Sequence, residues 1–209
     1  MHNWYINGYP DGSVRAEGNI TRAETAVVLY RVRNTEADVP YSATGEVFPD
    51  VTDAHWADYQ IEYMDHTGVV RGYEDGTYRP DSAITRAEFA ALVRRFIGIE
   101  EKSGESYPDV DEEQWYSGEI KALSDEGFIE GYEDGRFYPE RPITRAEAMR
   151  VINKVLGRAP SEEYVKSLAF RPYNDLAENE WYYTDVIEAT ITHDYTLEDG
   201  LEVRWSNYE

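Results

Sequence analysis

The chain has 209 residues, and its 42 acidic side chains outnumber the 20 basic ones to give a formal net charge of −22. A surface of this sign repels the phosphate backbone of DNA and RNA, so nucleic acid is excluded as a partner. Aromatic residues make up 14% of the chain, too many for a disordered polymer, and the absence of cysteine excludes disulfide and thiolate chemistry. We therefore expect a folded protein with an acidic surface, on which any anionic ligand must be held by local cations.

Three copies of one pentapeptide, Ile-Thr-Arg-Ala-Glu, organise the chain. They occupy 20–24, 84–88 and 143–147, so that their arginines lie 64 and 59 residues apart. Self-similarity at a regular spacing indicates a repeat protein, in which each unit needs a neighbour to cover its apolar face. We therefore expect residues 1–209 to form one compact domain of three repeats.

Each pentapeptide also predicts a helix start. Thr followed three residues later by Glu is a capping box, in which each side chain accepts from the backbone N–H of the other residue. The predicted cap residues are Thr21, Glu24, Thr85, Glu88, Thr144 and Glu147. The arginine takes the first helical position, where the helix dipole disfavours a cation. Free N–H groups beside a guanidinium suit a carboxylate or phosphate, and an internal salt bridge is an equal alternative.

Glycine, proline and charge patterns divide the chain into repeats and connectors. Repeat 1 holds only the back half of a unit, and the tail resembles the front helix that it lacks. We therefore expect the tail to complete repeat 1, with its helix packed against the first capping-box helix. The predicted segments are repeat 1 at 1–33, a linker at 34–47, repeat 2 at 48–97, a linker at 98–106, repeat 3 at 107–156, a connector at 157–171 with a short helix around Tyr164 to Leu168, and the tail at 172–209.

Each complete repeat predicts two helices joined by a tight turn. Front helices are expected from about Trp56 and about Trp115, because apolar residues follow at helical spacing. The sequence Gly-Tyr-Glu-Asp-Gly then predicts a tight turn between short β-type runs, and the capping-box helix follows. The predicted fold class is mainly α, with short β-type turns between the helices of each repeat.

The order Phe-Pro-Asp-Val, Trp, Gly-Tyr-Glu-Asp-Gly-Thr-Tyr-Arg-Pro and Ile-Thr-Arg-Ala-Glu resembles the S-layer homology domain over nearly the whole chain. The resemblance implies a three-repeat, pseudo-threefold helical bundle shaped as a three-pronged spindle. It also implies an extracellular module that anchors a bacterial surface protein non-covalently to the cell wall. The implied partner is a secondary cell wall polymer linked to peptidoglycan, often bound through a pyruvylated terminal sugar.

The resemblance implies which residues meet the polymer. In the family, the arginine of the capping box lines a groove between neighbouring repeats and meets the acidic sugar, which maps onto Arg22, Arg86 and Arg145. Further groove residues implied by position are Gly8, Gly72, Gly131, Asp50, Asp109, Trp56, Trp115 and Trp181. Each type also has a structural interpretation: a turn glycine with positive φ, an aspartate that caps a turn, and a buried tryptophan ring that anchors a helix.

No nucleophile, zinc-protease or phosphate-loop motif occurs in the sequence, so neither catalytic residues nor a cofactor are predicted. An EF-hand loop fails because Tyr73 and Arg71 stand where oxygen ligands must precede Gly76, and no metal ligands are predicted. A calcium-binding module with clustered surface carboxylates and a self-assembling structural or protein-interaction module remain the alternatives. With no signal peptide and no stretch of about 20 apolar residues, we expect a fragment of a longer surface protein without membrane insertion.

Overall fold

The computed structural model describes residues 1–34, 47–168, 171–198 and 200–206. Within these ranges the chain is mainly helical, as predicted, and a single β-hairpin follows the last helix. Most of the predicted linker at 34–47, from 35 to 46, lies outside the described residues. The elements are α1 (Arg22–Asn34), α2 (Asp58–His66), α3 (Arg86–Ile97), α4 (Ser117–Asp125), α5 (Arg145–Val155), α6 (Glu162–Ser167), α7 (Tyr183–Thr190), β1 (Asp194–Glu198) and β2 (Leu201–Ser206).

The chain forms two compact units, one of Met1–Gly18 with Thr144–Glu209 and the other of Asn19–Ile143. In the second unit α1 packs against α2, and α3 packs against α4. In the first unit α5 packs against α7. Each capping-box helix therefore packs against a front helix that comes later in the chain. The prediction that the tail helix packs against the first capping-box helix is wrong, since the partner of α7 is α5.

The capping boxes form as predicted and fix where the long helices begin. At α3 the Thr85 hydroxyl accepts from the Glu88 N–H at 3.1 Å, and the Glu88 carboxylate accepts from the Thr85 N–H at 2.9 Å. The same pair of bonds begins α1 and α5. The front helices begin two residues later than predicted, because tight turns precede them: the N–H of Asp58 donates to the carbonyl of His55.

The isoleucines that precede the three capping boxes are joined in a closed cycle of backbone hydrogen bonds. In the second unit Ile20 N–H donates to Ile143 C=O at 3.2 Å, Ile143 N–H to Ile84 C=O at 3.0 Å, and Ile84 N–H to Ile20 C=O at 3.1 Å. All three side chains are buried. The repeats of the sequence thus meet at one point through their main chains.

The connector and the tail contain further elements besides the predicted front helix. The short helix expected in the connector is confirmed as α6. The segment after α7, by contrast, forms the antiparallel pair β1 and β2, with a turn at Gly200, whose φ is +82°. Trp205 of β2 is buried and stacks on His193 with 3.6 Å between ring centroids. No helix among the described residues has the length and apolar character needed to cross a bilayer.

Candidate functional site

The arginines of the three capping boxes are buried, with exposed fractions of 3% for Arg22, 8% for Arg86 and 2% for Arg145. Each guanidinium donates to two main-chain carbonyls of a turn segment. Arg22 donates from Nε to the Tyr78 carbonyl at 2.7 Å and from Nη2 to the Arg71 carbonyl at 2.9 Å. The equivalent acceptors are Phe137 and Glu130 for Arg86, and Val14 and Asn7 for Arg145. The arginine therefore fixes the turn segment of another repeat.

The amides at the helix N-termini are already hydrogen-bonded, which argues against the anion-binding alternative there. At α1 the N–H of Arg22 donates to the Ser82 carbonyl and the N–H of Ala23 to the Pro80 carbonyl, both at 2.9 Å. The next N–H, of Glu24, donates to the Thr21 hydroxyl. Helix α3 shows the same arrangement. Carbonyl oxygens and the hydroxyl of the cap thus satisfy the amides that the anion-binding alternative requires.

An open pocket of about 410 Å³ lies within the second unit and brings together three of the residues predicted to meet the polymer. Arg22, Gly72 and Trp115 all line it. The Trp115 side chain is 56% exposed, so its ring is available for contact with a ligand. The other lining residues are Arg71, Tyr73, Glu74, Thr85, Glu88, Ala91, Leu92, Arg95 and Glu140.

Two cations of this pocket, Arg71 and Arg95, are not among the predicted site residues. Arg71 is exposed, and its carbonyl is the group that accepts from Arg22. Arg95 lies 3.4 Å from Glu119, and its buried Nε finds no hydrogen-bond partner among the described residues. Burial lowers the pKa of Arg95. The signal was present, because the position of Arg95 is basic in every repeat, with Arg31 and Lys154 as its equivalents.

The interior of the pocket holds a charged and aromatic network. Arg22 lies 3.3 Å from Glu88 and stacks on Tyr73, with 4.6 Å from its guanidinium carbon to the ring centroid. The Tyr73 hydroxyl donates a hydrogen bond to Glu88. Burial, and to a smaller extent this hydrogen bond, raises the pKa of Tyr73. Glu88 is also the N3 residue of the capping box, so the helix start and the pocket share one carboxylate. The network holds the floor of the pocket in one arrangement.

The glycines of the Gly-Tyr motif are required for close approach rather than for a positive φ. A Cβ on Gly72 would lie 2.6 Å from the Phe48 ring and 2.9 Å from the Thr77 carbonyl. Gly8 and Gly131 are crowded in the same way, by the rings of Tyr173 and Tyr107. Residues with positive φ include Gly12, Gly76 and Gly135 instead. The turn interpretation was therefore wrong for the three predicted glycines.

The front-segment aspartates clamp the turn segments. Asp50 accepts from the N–H groups of Tyr78 and Arg79 at 2.8 and 2.7 Å, and Asp109 accepts likewise from Phe137 and Tyr138. Neither lines the pocket. In the first unit Asp175 makes the equivalent pair of bonds to Val14 and Arg15. The tail thus supplies a front segment to residues 14 and 15, through an aspartate absent from the predicted site.

The three front-segment tryptophans are exposed, which contradicts the interpretation of buried helix anchors. Their exposed fractions are 61% for Trp56, 56% for Trp115 and 50% for Trp181. They stand in turns before the helices, so their rings face outward. The guanidinium of Arg150 covers Trp181, with 4.3 Å from Cζ to the ring centroid. Trp115 therefore presents an aromatic surface at the described pocket.

Comparison with known proteins gives one family. The model of the S-layer homology domain matches residues 3–26, 47–90 and 106–149. Cell surface glycoprotein 1 of Acetivibrio thermocellus is 37% identical over 96% of this chain, which spans 9% of that protein. The cellulosome-anchoring protein of the same organism is 36% identical over 97% of this chain, which spans 45% of it. S-layer protein EA1 of Bacillus anthracis is 36% identical over 51% of this chain, which spans 12% of it.

Proposed function

The chain belongs to the S-layer homology domain family, and on that premise we propose that it anchors a surface protein to the bacterial cell wall by binding an acidic saccharide of the secondary cell wall polymer. The pocket that contains Arg22, Gly72 and Trp115 is the observation that carries this proposal. The module acts by binding, without catalysis, at the cell surface. The chain spans less than half of the two relatives that match it over nearly its full length, which fits a part of a larger surface protein.

The chemistry of the pocket favours a saccharide with a carboxylate group. The exposed Trp115 ring offers a flat apolar surface to the C–H faces of a sugar. Arg71 and Arg95 offer guanidinium groups, which pair with carboxylates in a bidentate manner. A pyruvyl ketal on a terminal sugar places a carboxylate directly beside C–H surface. The two kinds of group in the pocket therefore match the two kinds in the ligand.

Three arginines and three glutamates line this pocket, and one of the glutamates is already engaged by its neighbours. Glu88 is bound by Arg22, Tyr73 and the helix N-terminus. Arg22 thereby contributes charge and holds the carbonyl of Arg71. We assign Arg71 and Arg95 the direct contact with the ligand carboxylate. By position in the repeat, Arg86 and Arg145 take the role of Arg22 toward the same ligand class. Gly8 and Gly131 correspond to Gly72 in this way, and Trp56 and Trp181 to Trp115.

Sedimentation with isolated wall sacculi tests the proposal. The protein should pellet with intact sacculi and stay in the supernatant once the secondary polymer has been removed by acid. Calorimetry with one saccharide, with and without its pyruvyl ketal, then identifies the recognised group. Undiminished sedimentation on stripped sacculi would contradict polymer binding, and equal affinity for both saccharides would contradict recognition of the carboxylate.

Substitution of Trp115 by alanine tests the pocket itself. Loss of the aromatic surface should weaken saccharide binding at least about fivefold, since an aromatic contact contributes about 1 kcal/mol beyond its buried area. Trp4→Ala is the matched control, because Trp4 is also partly exposed but does not line the pocket. Equal losses in the two variants would exclude this pocket as the site.

A further inference from the structure

A cluster of metal-ligating side chains lies in the first unit, apart from the pocket. His2, Glu188 and His193 each direct a ligand atom toward the others, and these atoms all lie within 4.8 Å of one another. His2 Nδ1 is 2.8 Å from Glu188 Oε1, and His193 Nε2 is 3.3 Å from Glu188 Oε2. Glu188 and His193 are completely buried. The family match and the anchoring role leave this cluster unexplained.

The buried carboxylate is only partly satisfied by its neighbours. Arg158 Nη1 lies 3.4 Å from Oε1, on the oxygen that also contacts His2. Oε2 is buried and has no hydrogen-bond partner among the described residues. An unsatisfied oxygen of a buried carboxylate is costly, because it has left water without a replacement. This oxygen points toward His193, so the missing partner belongs on that side.

The backbone assigns the tautomer of His193. Its Nδ1 lies 3.0 Å from the carbonyl of Ile191, and a carbonyl can only accept a hydrogen bond, so Nδ1 carries the proton. In the neutral form of the ring, the lone pair of Nε2 is then directed toward Glu188 Oε2, whereas in the imidazolium Nε2 carries a second proton. Two lone pairs 3.3 Å apart repel unless a cation lies between them. A hydrogen bond from Nδ1 to a backbone carbonyl is also the usual outer contact of a metal-bound histidine.

We infer that His2, Glu188 and His193 bind a divalent transition-metal ion of the Zn²⁺ class. Two imidazole nitrogens and a carboxylate suit zinc and its neighbours rather than calcium or magnesium, which prefer oxygen ligands. Ligand atoms at about 2.0–2.1 Å from one zinc ion lie roughly 3.4 Å apart in a tetrahedral site. The 3.3 Å separation of His193 Nε2 and Glu188 Oε2 already meets this requirement.

The position of the cluster gives the ion a structural role. His2 and His193 pair their main chains, with N–H to C=O distances of 2.7 and 2.9 Å. Glu188 belongs to α7, and His193 directly precedes β1 and stacks on Trp205 of β2. One ion would therefore join the segment around His2 to the last helix and to the hairpin. Two of its three ligands are buried, and a water molecule would take the fourth position of a tetrahedral site.

Titration with zinc tests the assignment. Calorimetry of the whole chain with Zn²⁺ should show one tight site per chain, and chelation should lower the melting temperature. Co²⁺ should bind with the intense visible absorption of a tetrahedral site. His193→Gln should weaken zinc binding by roughly 100-fold or more, because a direct ligand contributes at least as much as an outer contact.

Two further variants keep the test decisive if the buried substitution disturbs folding. His2→Gln changes a half-buried ligand and should cause a comparable loss of affinity. His66→Gln changes an exposed histidine of α2 and should leave affinity unchanged. Absence of zinc binding would overturn the assignment and leave a proton as the cation of the cluster. Zinc binding that survives both ligand substitutions would also overturn it, since the ion would then lie on the acidic surface.

Discussion

Arg22→Ala should strongly destabilise the second unit, because the guanidinium makes buried hydrogen bonds within the fold. The substitution removes two hydrogen bonds to main-chain carbonyls, at 2.7 and 2.9 Å, and the ion pair with Glu88. It strands the carbonyl of Tyr78, a fully buried residue. Breaking a buried charged pair typically costs about 3–5 kcal/mol. In a chain of this size that loss corresponds to a fall in melting temperature of about 10 °C.

The assay compares Arg22→Ala with Arg71→Ala by urea unfolding and by saccharide calorimetry. Arg71 lines the same pocket, but its side chain is exposed and its carbonyl persists in the variant, so stability should change by less than about 0.5 kcal/mol. Arg71→Ala should nevertheless weaken saccharide binding. A loss below about 1 kcal/mol in Arg22→Ala would refute this reasoning and favour a ligand contact of the arginine over its structural role.

Three further predictions concern the turn segments. Asp50→Asn should lower the free energy of unfolding by about 2 kcal/mol, because the amide nitrogen that replaces one carboxylate oxygen cannot accept a hydrogen bond from the backbone N–H. In urea unfolding, the midpoint should fall without a change in slope. Gly72→Ala should lower the free energy of unfolding by about 1–3 kcal/mol, because the new methyl group collides with the ring of Phe48. Gly76→Ala is the control: it has open space and should lose about 1 kcal/mol through its φ of +82° alone. Equal melting temperatures of the wild type and Gly72→Ala would disprove the steric account. Hydrogen bonds from the Thr77 hydroxyl and amide and from Arg79 hold the pKa of Asp75 well below its usual range. The contribution of Asp75 to folding stability is therefore fully present above the unfolded-state pKa of about 4, and it is lost as the pH falls toward the lower pKa of the folded state. The stability difference between wild type and Asp75→Asn should therefore shrink in urea titrations below pH 4, and a constant difference would exclude ionisation of Asp75 as its cause.

The sequence predicted helix starts and repeats well, because these depend on short-range chemistry. A Thr and a Glu three residues apart determine their own hydrogen bonds, so the boxes at Thr85 and Thr144 follow from local sequence. The mainly helical class follows from the apolar spacing behind them. The hairpin at 194–206 was not predicted, because the whole tail was interpreted as a front helix although the helical apolar pattern ends before residue 194.

The roles of the arginine, glycine and aspartate could not be predicted, because each depends on a contact distant in sequence. Arg145 bonds to residues more than 130 positions away, and Gly8 is crowded by Tyr173. Local sequence contains no information about such neighbours, so a plausible local reason was assigned instead. Trp115 was weighed as a core residue for the same reason. Its exposure follows from a turn that delays α4 by two residues.

The cycle of isoleucine hydrogen bonds distinguishes these repeats from an open, stacked array. Ile20, Ile84 and Ile143 each use one main-chain donor and one main-chain acceptor, and all three bonds close on one another. A stacked solenoid ends in unsatisfied groups to which a further unit can be added. Here all three N–H groups donate within the cycle, so a fourth copy could join it only if one of these bonds opened. The cycle is therefore complete with the three repeats of this chain.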